Sequence, residues 1–422
     1  MASRGGPHRD GTVTLLGIDV AGRAVLVVGG GPVAAQRARS LADHGADVLV
    51  VAPHLCEELE QLRDSAAVRW RGGDVCEADL DGVWLVHTAT GHAPVDEAVS
   101  AWAAERRIWC VNASDASQGT ARTPATTHSG DVLVGVVSTG EPDPGRSKRI
   151  RDHLAGELRE GRVPLRRERT SRPEGGRVVL VGGGPGDVDL LTIGGRRALA
   201  EADVVVTDRL GPIGVLAELD PGVEVIHVGK APGNHPVPQD EINRILVERA
   251  RRGQVVVRLK GGDSYIFGRG GEEVLACRQA GIPVEVVPGV SSALAVPTLA
   301  GISLTYRAVA QTLVVTTGHE GLDPAARAAV GHEGATLVVL MGVSLLRRIA
   351  GEAIESGADP STPVAIVERG STPTQRATYG RLDTIADRAE AAGVRAPAVI
   401  VIGAVAADGF LGPTPPDDTI TG

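Results

Sequence analysis

The segment Val256–Glu273, VVRLKGGDSYIFGRGGEE, most narrows what this chain can fold into. A β-branched run from Val255 to Val257 gives way to Gly261-Gly262-Asp263, then to Tyr265 and Phe267, then to Gly268, Arg269, Gly270, Gly271 and two glutamates. This reads as a strand, a ligand loop and a helix start. Open α/β sheets bind small molecules at the carboxyl ends of their strands, where glycines let backbone approach a ligand without a Cβ in the way. Arg258, Lys260 and Arg269 add positive charge that suits a substrate carrying several carboxylates.

At 422 residues two or three domains are expected. Aromatic residues are only 2% of the chain, so the cores must be built from Val, Leu, Ile and Ala. A net charge of −9 disfavours nucleic acid as a partner, because phosphate binding needs a basic surface. Cys56, Cys76, Cys110 and Cys277 show no CxxC spacing, which argues against a zinc site or a disulfide framework and for reduced thiols in the cytoplasm. No apolar run approaches the roughly 18–20 residues of a membrane span. Met1–Gly11 lacks the apolar core of a signal peptide, so a cytoplasmic protein without a membrane partner is expected.

Near the amino terminus the apolar run Ala24–Val28 ends in Gly29-Gly30-Gly31-Pro32-Val33-Ala34, followed by a helical pattern to His44 and a strand at Val48–Val51. Strand, G-x-G-x-x-A, helix, strand is a dinucleotide-binding order. Gly29 and Gly31 serve the turn and the backbone approach, Ala34 serves close helix packing, and a phosphate is expected on the first amides of the helix. The second strand ends in Ala52-Pro53-His54, without the acidic residue that would hold a ribose. Further strands are expected at Val83–Thr88, Ile108–Asn112 and Val132–Val137. Asp115 falls just beyond one of them, as a catalytic group or as a turn aspartate. His87 and His92 read as hydrogen-bonded surface groups.

From Arg146 to Arg172 there are ten Arg/Lys against four Asp/Glu, with a helix expected over Ser147–Glu160 and an exposed linker over Arg166–Gly176. A second start follows: strand Val178–Val181, then Gly182 to Asp187 with Pro185, a helix entry unlike the first. Strands at Val204–Thr207, Glu224–Val228, Val284–Val287, Leu313–Thr317, Leu337–Leu340, Val364–Val367 and Ala398–Ile402 complete an α/β pattern. Their ends gather Asp208, Lys230, Asp263, Ser291, Met341 and Gly370. The expected organisation is 1–145 as a Rossmann-like NAD-binding domain, 146–176 as a short helical linker region, and 177–422 as a two-lobed α/β domain.

Val181–Asp187, Val205–Leu210, Val228–Lys230, the Val256–Glu273 block, Val287–Ser292, Thr317-Gly318-His319, Met341-Gly342 and Ala365–Gly370 together resemble uroporphyrinogen-III C-methyltransferases of the tetrapyrrole methylase fold. GGGPVAAQRA, VVAP and VNASD resemble the precorrin-2 dehydrogenase and ferrochelatase module. Joined in this order, the two are similar to the siroheme synthases. The resemblance implies S-adenosylmethionine held by Pro185, Gly261, Gly262, Asp263, Ile266, Ser291, Ser292, Met341 and Gly370. It implies Asp208 as general base and Lys230 as proton donor, acting on uroporphyrinogen III. It also implies NAD at Gly29, Gly31, Pro32, Val33, Pro53 and His54, with Asp115 serving both precorrin-2 oxidation and insertion of Fe²⁺ as a substrate, in a homodimer.

Some positions depart from the family pattern. Ser264 stands where proline is usual, Tyr265 where phenylalanine is usual, and Tyr306 where histidine is common. Val137-Ser138-Thr139-Gly140-Glu141 replaces a serine-glycine loop, and the helical dimerisation region is cut to roughly Ser147–Arg172. A methyltransferase carrying a non-catalytic NAD- or tetrapyrrole-binding module is the alternative reading.

Overall fold

The computed structural model describes residues 13–167, 175–208, 211–229 and 237–411. Lys230 lies outside the described residues. The chain divides into two compact units, one ending at Gly156 and one beginning at Glu157.

In the first unit, β1 (Ala24–Val28), β2 (Asp47–Ala52), β3 (Arg69–Gly72), β4 (Leu85–Thr88) and β5 (Trp109–Asn112) form a parallel sheet in the order β3-β2-β1-β4-β5. This is the doubly wound order, with the first strand central. Because helices cover both faces, the middle strands are apolar throughout rather than alternating, and Leu26, Val27, Val50 and Val86 are fully buried. Val132–Val137 does not join this sheet. Its residues form β7 (Val132–Val136), paired antiparallel with β6 (Ala125–Ser129), and Val132 and Leu133 stay exposed.

His87, expected at the surface, is instead buried in β4, while His92 is exposed. Burial first, and then the Arg37 charge, push the His87 pKa down from 6.5 to about 4. Between those values the unfolded chain binds a proton that the folded chain refuses. Stability is therefore full above pH 6.5 and is lost as the pH falls toward 4, by on the order of 3 kcal/mol. All four tryptophans, Trp70, Trp84, Trp102 and Trp109, lie in this unit, so their fluorescence reports its unfolding alone. Urea midpoints should drop between pH 7 and pH 5 in the natural chain and stay level in His87→Val. Parallel slopes in the two proteins would exclude His87 as the source.

In the second unit, β8 (Arg177–Gly182), β9 (Val204–Thr207), β10 (Glu224–His227), β11 (Val255–Lys260) and β12 (Val284–Val287) form an all-parallel sheet in the order β10-β9-β11-β8-β12. A third sheet contains β13 (Thr312–Thr317), β14 (Ala335–Leu340), β15 (Pro363–Glu368), β16 (Arg376–Arg381) and β17 (Ala398–Ile402), in the order β13-β14-β17-β15-β16. In it β13 and β14 pair parallel while β17 runs antiparallel to both β14 and β15, so β13, β14 and β15 end on one common edge. The linker is partly docked: the Leu165 amide donates to the Ala200 carbonyl at 2.9 Å, and Arg166 approaches Asp203 at 3.4 Å.

Candidate active sites

Three Gly-rich loops leave β8, β11 and β12 side by side. Gly184 and Gly262 exchange backbone hydrogen bonds of 3.1 and 2.7 Å. A Cβ on Gly182 would lie 2.5 Å from the Gly289 nitrogen and 2.9 Å from the Gly262 carbonyl oxygen, so the loops meet backbone to backbone. Asp263 ties them together, because its Oδ1 accepts from the Tyr265 amide at 2.8 Å and its Oδ2 from the Gly289 amide at 3.0 Å. Ser291 caps helix Ser292–Leu299 by accepting from the Ala293 amide, and the Ser292 hydroxyl sits over Gly262. Thr192 caps helix Ile193–Ala200, confirming that this start differs from the one at Gly29.

The loop after β15 reaches the same place. Ser371 Oγ accepts from the Asp187 amide at 2.9 Å, which joins the Pro185 loop to the Gly370 loop, and a Cβ on Gly370 would overlap Val296. Met341, Arg369 and Ser371 have φ of +56°, +49° and +60°, and Phe267 and Arg269 have +54° and +59°. Left-handed conformations in side-chain-bearing residues cost of order 1–3 kcal/mol each and cluster where a site over-determines them. Tyr265, Ile266, Phe267 and Met341 also keep much of their apolar surface exposed. A glycine cradle bordered by exposed apolar side chains suits a nucleoside with a methionine-derived sulfonium arm, so these residues fit S-adenosylmethionine.

Arg258 and Lys260 do not face a substrate. Both are buried, and both bind Glu273 Oε1 at 3.0 Å. β11 is the central strand and buried along its whole length, which turns its cations inward. Burial first, and then the Arg258 charge, lower the proton affinity of Lys260. Arg258 in turn donates through Nη2 to Asp208 Oδ2 at 3.3 Å, at the end of β9. Arg269 is exposed and pairs with Glu272.

In the first unit, Gly29 has φ +129° and its missing Cβ would overlap Ala89, while Gly31 opens onto free space. Helix Pro32–Asp43 has Gly31 at its N-cap, no side-chain cap and Pro32 in its first turn, and Ala34 is fully buried. Such an uncapped end is suited to a pyrophosphate, and the residues fit a dinucleotide. The Cys56 amide donates to the Gly30 carbonyl at 2.7 Å, drawing the exposed Pro53-His54 turn to the same loop. Gly30 is equally constrained, because its Cβ would overlap the His54 carbonyl, a contact between distant loops that no sequence motif marks.

Asp115 lies in a turn beyond β5. The Ser117 hydroxyl and then its amide, at 2.6 and 2.8 Å, hold its carboxyl below the usual carboxylate range. Its own amide donates to Asn112 Oδ1, as does that of Ser114. Asp96, fully buried, accepts from the hydroxyls of Thr90 and Ser114 and joins the loops after β4 and β5. A lone aspartate in an apolar helix carried no signal of that role. Among the described residues no group of three or more His, Cys, Asp or Glu could hold a metal ion, and no helix is long and apolar enough to cross a membrane.

A family model described as Tetrapyrrole (Corrin/Porphyrin) Methylases matches residues 177–386, and one for NAD(P)-binding matches residues 16–125. Siroheme synthase 3 of Aeromonas hydrophila is 36% identical over 436 residues, covering 91% of this chain and 92% of its own length. Siroheme synthase of Xylella fastidiosa is 34% identical over 439 residues, covering 91% and 92%. Among solved structures, uroporphyrin-III C-methyl transferase from Thermus thermophilus complexed with S-adenyl homocysteine is 45% identical, covering 55% of this chain and 93% of that one at a TM-score of 0.47.

Proposed function

Because this chain belongs to the siroheme synthase family, we propose that it methylates uroporphyrinogen III at two ring carbons to give precorrin-2, oxidises that product to sirohydrochlorin, and inserts Fe²⁺. The observation that carries this reading is the match of siroheme synthases over 91% of the chain, spanning both units at once. When bound, S-adenosylmethionine supplies an electrophilic methyl group and NAD accepts a hydride.

Pro185, Gly261, Gly262, Asp263, Ile266, Ser291, Ser292, Met341 and Gly370 hold the methyl donor. Asp208, steadied by Arg258, takes the proton that a methylated ring must release, and Lys230 serves as proton donor. Gly29, Gly31, Pro32, Val33, Pro53 and His54 hold the dinucleotide. Asp115, kept ionised by Ser117, accepts protons during ring oxidation and during metal entry. The enzyme works in the cytoplasm as a homodimer, with no nucleic acid or membrane partner.

The test is an anaerobic two-stage absorbance assay: uroporphyrinogen III with S-adenosylmethionine first, and NAD once methylation stops. Sirohydrochlorin forming only after NAD is added supports both activities. Asp115→Ala should abolish that second stage and leave the first unchanged. An unchanged second stage would favour a turn role for Asp115, to which its Ser117 contacts already lend weight. Failure of the natural chain at the second stage would leave a methyltransferase with a non-catalytic amino-terminal module.

A further inference from the structure

Glu273, in the first turn of helix Gly270–Gln279, is completely buried. One of its oxygens, Oε1, accepts from Arg258 Nε at 3.0 Å, Lys260 Nζ at 3.0 Å and Gln239 Nε2 at 3.2 Å. Its other oxygen, Oε2, is buried with no hydrogen-bond partner among the described residues. Arg258 is held on all sides: Nη1 donates to the carbonyls of Val206 and Leu259, Nε to Glu273, and Nη2 to Asp208. Of the four charged groups only Asp208 opens toward solvent, with a quarter of its side chain exposed.

A buried ion pair is a weak source of stability, because desolvation cancels most of the attraction. Glu273 with Arg258 alone would already be neutral. Among these four groups the additional buried cation, Lys260, has the ionised Asp208 as its counter-charge. Neutralising Asp208 would leave one buried positive charge of the four groups without a counter-charge.

We propose that Glu273 is a positioning residue for methyl transfer, fixing Arg258 against Asp208 and setting, through the charge balance of the four groups, how readily Asp208 accepts a proton. This rests on the reading of Asp208 as the base. Other titratable groups that feel the cluster are Arg269 and Cys277, each through the Glu273 charge, and Glu272, through the Lys260 charge. Burial pushes the Cys277 thiol up to about 11, so it stays neutral through the range that matters.

The experiment is the pH profile of kcat for methyl transfer by the full chain, with S-adenosylhomocysteine binding and circular dichroism as controls. Glu273→Gln leaves an excess cation, so kcat at neutral pH should fall about tenfold, short of the loss expected from removing the base itself. The acid limb should move to lower pH, with KM for S-adenosylmethionine unchanged. Lys260→Met removes a cation and should move the limb the other way, and the double variant should bring it back. If Glu273→Gln does not fold, the direction of the Lys260→Met shift decides. A folded Glu273→Gln with an unmoved limb overturns the positioning role, as does a Lys260→Met limb that stays in place or moves to lower pH. Asp208→Asn separates the two readings. Full activity in it removes the base and this proposal together, whereas an inactive Asp208→Asn beside an unmoved Glu273→Gln removes this proposal alone.

Discussion

Asp208→Ala is expected to lower methyl transfer by a factor of about 10²–10⁴, the range associated with a positioned general base. The methyl-donor site should be preserved, although losing the Asp208 charge leaves the buried Arg258–Lys260 pair with one counter-charge fewer and should cost some stability. The side chain stands at the open end of β9 and is partly exposed, so its removal leaves no large cavity. Arg258 loses one acceptor but keeps the Val206 and Leu259 carbonyls and Glu273, so the guanidinium stays in place. The loops holding the methyl donor are tied by Asp263 and by backbone contacts in which Asp208 has no part. S-adenosylhomocysteine should therefore bind with unchanged affinity in calorimetry while transfer of a labelled methyl group to uroporphyrinogen III collapses. NAD-dependent oxidation of supplied precorrin-2, performed by the other unit, should be untouched. Normal methyl transfer by the variant would take Asp208 out of the mechanism.

Gly182→Ala should act by a different route, through shape rather than charge. The new methyl group would meet the Gly289 nitrogen and Cα at 2.5 and 2.7 Å and the Gly262 carbonyl oxygen at 2.9 Å, all backbone atoms. No side chain can rotate away, so the three loops must separate. A loss of about 3 kcal/mol is expected, at the upper end of the usual overpacking range. Separation also breaks the alignment of Gly262, Asp263 and Gly289, so affinity for S-adenosylhomocysteine should fall at least about tenfold, or ~1.4 kcal/mol. Denaturant midpoints and calorimetry measure the two effects. The tryptophan-reported unfolding of the first unit serves as internal control. Wild-type stability and affinity would exclude backbone-to-backbone packing of the three loops.

Much of this organisation was legible in the chain itself. Val204–Thr207, Val284–Val287 and Ala398–Ile402 are strands with the expected bounds, because β-branched runs between turn residues belong to buried strands. The edge strands β3, with Arg69, Trp70, Arg71 and Gly72, and β16, from Arg376 to Arg381, gave no such signal. An edge strand borrows its pairing from a neighbour and needs no apolar run of its own. The Gly29 turn was readable because φ +129° and a close approach leave glycine as the residue that fits.

Sequence by itself therefore determined the order of elements, the Gly-rich loops at strand ends and the family likeness, since each depends on local backbone preference and residue type. Tertiary structure decided where the side chains point and which charges meet. Arg258 and Lys260 read as substrate-facing cations until β11 takes the centre of a sheet covered on both faces. Burial then makes an unpaired charge too costly to keep, so the two cations close on Glu273, thirteen or more residues away, and Arg258 is left holding Asp208.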